Sequence, residues 1–554
     1  RINLATADEV VAHRIAEKLN LPHFIAATLV TRGIDTPQAV DTFLHPSLER
    51  DWQDPYLIEG MDEAVDRIAS AIQNEEHILV YGDFDLDGVS ATTLMTRGLR
   101  ACGAQVTPFI PLRFEEGYGL SDTSIKRVAS YEPKLVVTVD NGIAAKREVQ
   151  LLLDQGIDVV ITDHHEPADL VPVGVPVVDP KCGDNPSALL AGAGVALKVM
   201  QAVGSRFGKP NLWRELIDLA TLGTVADLMP MRDQNRALVS EGLRMINENP
   251  RPCIAALLGE SGFADKPVTS SNLSFTMVPR LNAAGRMGNA QLALDLLMSD
   301  DFAESAHLAS ELEDTNTRRR GIEAELAEVA SAQAEQVFKG QRALVVAGEG
   351  WHEGVKGIVA SRLANRYGVP TLLFTIEGDE AHGSGRSVGE VNLFQAVSSC
   401  QDILVRFGGH HAAVGVTLKA DKIPEFTERL CNYMDALPPE DFIPRIDVDA
   451  SLDLGELTMA NVEKLDLLAP FGQENPSPHF LAHGVMMAGG RAVGADKNHL
   501  SCTLTDGKHS LNCIMFHCSD TQALLNCSCA LDAVFELQID TWKGRRSVKA
   551  VVSS

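Results

Sequence analysis

The stretch HILVYGDFDLDG, residues 77–88, runs an apolar segment into three aspartates at alternate positions, Asp83, Asp85 and Asp87, and a closing glycine. The pattern of an apolar run ending in aspartate repeats: KLVVTVD stops at Asp140 and DVVITD at Asp163. The intervening VSATTLMTRGLRACG and AAKREVQLLLDQG have helical spacing and stop at Gly103 and Gly156, as helix ends often do. Strands alternating with helices predict a parallel sheet. Open parallel sheets bind ligands beyond the carboxyl ends of their strands, which is where these aspartates fall. Asp227 follows a further mixed apolar segment, LIDLATLGTVADLMP.

Directly after Asp163 stand His164 and His165. Neighbours on a strand face opposite ways. If both imidazoles serve one site, the chain must leave extended geometry between Asp163 and Glu166.

Further along, residues 301–338 are rich in Ala and Glu, have no Pro and no Gly before Gly321, and read as one or two long helices bridging domains. QRALVVAGE and VPTLLFTIEG restart the strand-and-helix pattern to about residue 435. Beyond a turn-rich segment at 470–477, short alternating stretches such as LDAVFELQID and RSVKAVVSS predict a small all-β domain, an OB-like barrel. A chain of 554 residues suggests three or four domains at roughly 100–200 residues each.

With 45% hydrophobic and 22% charged residues the composition is that of a soluble globular protein. The most apolar stretch, ALLAGAGVALKVMQAVG, is broken by glycines and carries Lys198, so no membrane span is expected. The opening RINLATADEV lacks the basic-then-apolar order of a secretory signal and also lacks an initiator Met. Ten cysteines in this length are too few for a disulfide scaffold, and a reducing, cytoplasmic setting is expected. Five of them, Cys502, Cys513, Cys518, Cys527 and Cys529, crowd around His517. Without a CxxC pair they read as reduced, partly buried thiols on strands in preference to a zinc site. A net charge of −27 argues against polyanion binding over the whole surface and confines any nucleic acid to a local site.

Three rival readings of DFDLDG fail. An EF-hand loop starting at Asp83 would place Leu94 where the bidentate Glu belongs, after a strand instead of a helix. A phosphatase of the haloacid-dehalogenase kind leaves Asp140 and the histidines without roles. Helix capping suits one aspartate, but three crowded carboxylates need a neutralising cation. Asp83, Asp85, Asp87, Asp140, His164 and Asp227 together make a mixed oxygen and imidazole set that favours Mn²⁺ or Mg²⁺. The ligands outnumber the needs of one ion, so two are expected, an arrangement suited to phosphoester hydrolysis.

DFDLDG, VTVDNGI, TDHH and LGTVADLMP, in this order, resemble the four motifs of the DHH phosphoesterase superfamily. Within it, RFEEGYGL, VPRLNAAGRM, HEGVKGIVASRL, GSGRS, FGGHHAAVG and APFGQENP resemble the RecJ family of bacterial single-strand-specific 5′ to 3′ exodeoxyribonucleases, from about residue 20 to the C-terminus. The resemblance implies a DHH-type parallel-sheet domain with an N-terminal helical extension over 1–300 and a connecting helix over 301–340. It further implies a second α/β domain of the DHHA1 type over 341–440 and an all-β OB-fold domain for nucleic acid over 441–554.

By the same resemblance Asp85, Asp87, Asp140, His164 and Asp227 hold the two metals, with Asp140 bridging and Asp83 a ligand or a supporting group. His165 faces the scissile phosphate, Asp163 orients the histidine pair, and water, not a side chain, is the nucleophile. Arg113, Arg280, Arg286, Ser384 and Arg386 are the candidates for a 5′-phosphate pocket, with Asn282 a further substrate-binding residue and His410 a further phosphate contact. His411 is incidental. Phe84, Leu86 and Val414 depart from the common pattern without removing a ligand. Arg318 to Arg320 suit either DNA contact or a solvated face, and Trp542, Lys543, Arg545 and Arg546 suit stacking and backbone contact with a single strand.

The expected activity is metal-dependent exonucleolysis of single-stranded DNA from a 5′ end to nucleoside 5′-monophosphates, in repair and recombination. The expected enzyme is a monomer, with a single-strand-binding protein and a helicase as partners and no membrane. Two alternatives remain open here: a phosphodiesterase of the same fold acting on short oligonucleotides or cyclic dinucleotides, and a non-catalytic DNA-binding scaffold.

Overall fold

Five parallel strands carry the first aspartates, in the order Gln105–Phe109, His77–Tyr81, Leu135–Val139, Asp158–Thr162, Val177–Val178. Val80 is in register with Val137, and Val137 with Val160. Leu135 to Val139 are buried throughout, because helices cover both faces of a parallel sheet. One face packs Leu79, Tyr81, Val136, Val159 and Ile161 against Ile125, Val128, Val149 and Leu152. Behind the aspartates, the Leu86–Ala101 helix packs on the Gly192–Arg206 and Ile217–Ala226 helices. Gly98 permits this approach, since a Cβ there would lie 2.6 Å from Met200 Cε.

The computed structural model describes residues 2–167, 169–494, 497–518, 521–526, 529–542 and 544–553. The chain divides into two compact units. The larger, Trp52–Met229 with Glu241–Pro444, holds the sheet above. A single 36-residue helix, Phe302–Val337, starts at Asp301, whose carboxylate accepts from the Glu304 amide. Its buried positions Ala309, Leu312, Asn316, Arg319, Glu323, Leu326, Ala330 and Ala334 recur every three or four residues. The later ones meet Leu344, Val346, Val359 and Leu363 of a second sheet and its helix. That second sheet has the order Leu404–His410, Ala413–Lys419, Glu380–Arg386, Thr371–Glu377, Leu344–Glu349. Only the last two strands are parallel.

The smaller unit is Arg1–Asp51, Pro230–Ser240 and Arg445–Ser554. Its barrel closes because the His479–Val493 strand pairs with both His499–Thr505 and Leu531–Trp542. Register shifts between Ala482 and Val485 and between Ala488 and Arg491 let that strand turn the corner. Phe24 of an N-terminal helix inserts beneath it, edge-on to Phe480 at 5.4 Å. Among the described residues no helix is long and apolar enough to cross a membrane.

Candidate active site

Each acidic side chain of the cluster sits where a strand or helix begins or ends. Asp85 caps the Leu86–Ala101 helix, accepting from the amides of Asp87 at 3.0 Å and Gly88 at 3.1 Å. Asp87, buried in the first turn, accepts from Gly192 N at 2.7 Å and Ala193 N at 3.0 Å. Two glycines let the helices close on these carboxylates. A Cβ at Gly192 would lie 2.5 Å from Asp140 Cβ, and one at Gly223 would lie 2.3 Å from Asp87 Oδ1. Asp140 itself has φ +61°. For a residue with a side chain that left-handed conformation costs about 1–2 kcal/mol, a strain of the kind held at functional sites.

The strand carrying the histidines ends at Thr162, and the chain bends at His165. The two rings therefore lie on the same side, with centroids 4.5 Å apart. His164 Nε2 points into the carboxylates, 3.0 Å from Asp140, 3.6 Å from Asp227 and 3.7 Å from Asp87. His165 Nδ1 is bound to Asp163 Oδ1 at 2.7 Å, and its Nε2 lies 3.1 Å from Tyr118 Oη. Asp163 also accepts from the amides of His164 and Ile143, at 2.7 and 2.9 Å. Ligand atoms of Asp83, Asp85 and Asp140 lie within 4.8 Å of one another, and so do those of Asp87, His164 and Asp227.

The electrostatics ask for positive charge. Both oxygens of Asp83 are buried without a hydrogen-bond partner. Burial, then neighbouring carboxylates, pushes Asp83, Asp87 and Asp140 well above the usual carboxylate range. Asp227 caps the C-terminus of the Ile217–Ala226 helix, the negative end of its dipole. Burial and Asp85 lift it to about 6. Orphaned carboxylate oxygens beside one imidazole fit hard divalent cations of the manganese or magnesium kind. Beside them, Asp163 is held below the usual range, the bond to His165 and the amides outweighing burial. Asp163 in turn outweighs burial at His165, whose imidazole is raised to about 9.

A cluster of arginines adjoins this set. Burial lowers Arg113, Arg286 and Arg386, Arg286 to about 10 with Arg113, Arg319 and Arg386 contributing. Among the described residues none of these three makes an ion pair with a carboxylate, although acids exceed bases by 27. Arg113 lies over the Phe84 ring at 4.7 Å. Arg386 Nη1 reaches Ser384 Oγ at 3.3 Å. Gly357, in the first turn of the Lys356–Tyr367 helix, is so close that a Cβ would lie 2.5 Å from Arg386 Nη2. His410 shares a cross-strand row with Ala413 and Arg386 and so stands on the same sheet face. Gly408 and Gly415 lie in the row of Ser384.

Other expected substrate contacts are engaged elsewhere. Arg280 pairs with Glu313 at 2.6 Å and donates to Thr276 O. Asn282 accepts from Leu86 N at 2.9 Å, so it braces the aspartate loop. Arg319 is turned inward to Glu323 at 2.6 Å, while Arg318 and Arg320 are exposed. His411 contacts Glu390 O at 3.2 Å. In the barrel Arg545 is exposed and Arg546 pairs with Glu463 at 2.8 Å. The Trp542 side chain, Lys543 and Cys527 lie outside the described residues. Cys502 and Cys513 are buried cross-strand neighbours, and among the described residues the C-terminal cysteines assemble no three-ligand group.

Two residues that the motifs did not single out belong here. Tyr118 contacts His165; it lies inside RFEEGYGL, where only the arginine drew notice. Buried Asp179 follows the Val177–Val178 strand and is raised to about 7 by burial, with Asp163 nearby. Its signal was the same apolar run ending in aspartate, VPVVDP.

An aspartate-edged parallel sheet with a DHH turn and a second mixed sheet define a DHH phosphoesterase. Residues 77–224 match the model of the DHH family N-terminal domain, 340–436 that of the DHHA1 domain and 448–554 that of the RecJ OB domain. The chain is 37% identical over 558 residues to the single-stranded-DNA-specific exonuclease RecJ of Bacillus subtilis, covering 100% of this chain and 70% of that protein. It is 31% identical to the exonuclease of the same name from Escherichia coli, with 96% of each covered. It belongs to the RecJ family. Its fold matches the crystal structure of RecJ from Thermus thermophilus in complex with Mn²⁺ with a TM-score of 0.85 at 29% identity, over 100% of this chain and 79% of that one. The same protein has been solved with Mg²⁺, with a TM-score of 0.79 at 27% identity over 100% of this chain and 78% of that one.

Proposed function

We propose that this chain is a metal-dependent exonuclease that shortens single-stranded DNA from its 5′ end and releases nucleoside 5′-monophosphates. The observation that carries the reading is the juxtaposition of a buried, uncompensated carboxylate cluster with three arginines that have no acidic partner. The first needs cations and the second needs an anion. A phosphodiester met by cations at the carboxylates, with its terminal phosphate at the arginines, would supply both.

Two cations are the number we propose, one among Asp83, Asp85 and Asp140 and one among Asp87, His164 and Asp227, with Asp140 shared. When bound, they would polarise the scissile phosphate and favour ionisation of a water. The remaining work belongs to side chains. His165, kept protonated at neutral pH by Asp163 on Nδ1, turns its outer Nε2–H from the Tyr118 hydroxyl to a phosphate oxygen when substrate is bound. Arg386, Ser384 and Arg286 hold the 5′-phosphate at the start of the Lys356–Tyr367 helix, where amides and dipole favour an anion. Gly408 and Gly415 leave that face open to a strand backbone. Arg113 guards the passage between the two groups. Arg280 and Asn282 act through the Phe302–Val337 helix and the aspartate loop.

The same reading divides the chain near residues 300, 340 and 440, with the C-terminal barrel as a single-strand holder. It acts in the cytoplasm as a monomer during repair and recombination, alongside a single-strand-binding protein and a helicase. The test is a 3′-labelled single strand, a duplex and a dinucleotide, each incubated with Mn²⁺. Progressive shortening of the single strand alone from its 5′ end, lost in Asp140→Ala, is the expected result. Cleavage of the dinucleotide alone would overturn it.

A further inference from the structure

We infer that the first helix pair carries a separate site for a borderline divalent transition metal such as zinc, formed by Glu9, His13 and His23. Glu9 and His13 are four residues apart on the Glu9–Leu19 helix and so share one face. The chain reverses through Asn20 at φ 52° and Pro22, and His23 opens the His23–Thr31 helix directly opposite. The two imidazoles lie 4.3 Å apart, and each of the three side chains brings a ligand atom within 4.8 Å of the other two.

Two details favour a ligand over an ordinary surface ion pair. His13 Nδ1 lies 2.8 Å from the Glu9 carbonyl. The same nitrogen is the one that faces the Glu9 carboxylate, 3.8 Å from Oε2, so turning the exposed ring off the carbonyl frees a lone pair beside the other two ligands. His23 Nε2 is shielded from solvent with no hydrogen-bond partner; its 3.0 Å approach to Glu9 Oε2 lacks hydrogen-bond geometry. An unpaired nitrogen beside a carboxylate oxygen is the edge of a coordination polyhedron. Tetrahedral bonds of about 2.0–2.2 Å put ligand atoms roughly 3.3–3.6 Å apart. One edge is already that short, and rotation of the exposed His13 ring closes the rest.

The mounting is rigid. Ala12 and Phe24, the neighbours of His13 and His23, are 0% exposed in the core of the smaller unit. Two imidazoles and one carboxylate suit zinc, cobalt or nickel and discriminate against magnesium, which takes oxygen ligands. The fourth position falls to water, so the site is a clip between two helices open to solvent on one side.

The full-length chain, held in millimolar Mg²⁺ to occupy the oxygen-rich centre, is titrated with Zn²⁺ against a chromophoric chelator, beside His13→Gln and His23→Gln. The wild type should bind one more equivalent than either variant, or bind it at least tenfold more tightly. It should also gain thermal stability with Zn²⁺ that both variants lack. His13 is 66% exposed at its side chain, so His13→Gln keeps the fold, and unchanged nuclease activity in Mg²⁺ verifies this. Superimposable Zn²⁺ isotherms for wild type and His13→Gln would overturn the assignment.

Discussion

Stripping divalent cations should make this protein less stable as pH rises. Asp83, Asp87, Asp140 and Asp227 all have folded-state pKa values above those of free carboxylates. A raised acid binds more protons when folded. Its contribution is therefore neutral below the unfolded pKa of about 4 and becomes a growing cost as pH climbs through the folded value. For Asp227, moving from 3.8 to about 6 corresponds to roughly 3 kcal/mol. Its side chain is 36% exposed, so solvent screening reduces this to about 1–2 kcal/mol. The three buried carboxylates extend the loss beyond pH 6. At about 2 cal/mol/K of unfolding entropy per residue over roughly 380 residues of the larger unit, each 1–2 kcal/mol shifts Tm by about 1–3 °C. Calorimetry with chelator should show Tm falling by several degrees between pH 4.5 and 8, and Mn²⁺ should restore more at pH 8 than at 4.5. Asp83→Asn sharpens the test, because both oxygens it alters lack partners. In chelator it should raise Tm at pH 8 and leave pH 4.5 nearly unchanged. A metal-free Tm that is flat or rises over this range, or an Asp83→Asn loss equal at both pH values, would refute the cation reading.

Gly192→Ala places a methyl 2.5 Å from Asp140 Cβ and should cost about 1–3 kcal/mol and on the order of 100-fold in kcat, measured by melting and single-turnover cleavage. Gly321→Ala, in the long helix with nothing within 4 Å, should instead stabilise by about 0.5–1 kcal/mol and leave activity intact. Arg386→Ala should raise KM for 5′-phosphorylated strands by about 10- to 100-fold while hardly affecting 5′-hydroxyl strands, the value of a charged hydrogen bond; equal effects on both would remove Arg386 from the 5′ pocket. Lys198 is buried over Trp52 at 3.7 Å, and burial lowers it to about 6. A depressed base binds fewer protons when folded, so stability should rise with pH between about 6 and 10.5. Lys198→Met should abolish that slope and raise neutral-pH stability by on the order of 2–4 kcal/mol, read by denaturant titration.

What the amino-acid order revealed, and what it hid, follows from the length of each local signal. Asp83, Asp140 and Asp163 end apolar runs of five residues, long enough for a strand to be read, so their convergence at one sheet edge was legible. Asp179 ends a strand of only two residues, Val177–Val178, too short for a period to appear. Tyr118 lies between elements, where no spacing predicts a direction. The arginines of VPRLNAAGRM share a motif whose helical geometry separates them. Six residues on a helix turn a side chain by about 240°, so Arg280 and Arg286 cannot face one pocket. One turns to Glu313 on the long helix and the other to Gly354 O.

The backbone at Asp140 carries this further. Its positive φ makes the carboxylate leave the strand sideways toward His164 Nε2, 3.0 Å away, instead of continuing the pleat. The residues that allow it are written in VDNGI: Asp and Asn tolerate the left-handed region, and Gly142 follows at φ 111°. The same logic governs the histidine pair. Asp163 accepts the amides of both His164 and His165, and a carboxylate can do that only where the chain turns around it. The turn sends His164 to the buried carboxylates and leaves His165, charged by Asp163, facing outward toward Tyr118. One aspartate thus bends the backbone, divides the roles of two adjacent imidazoles and sets the protonation of the second.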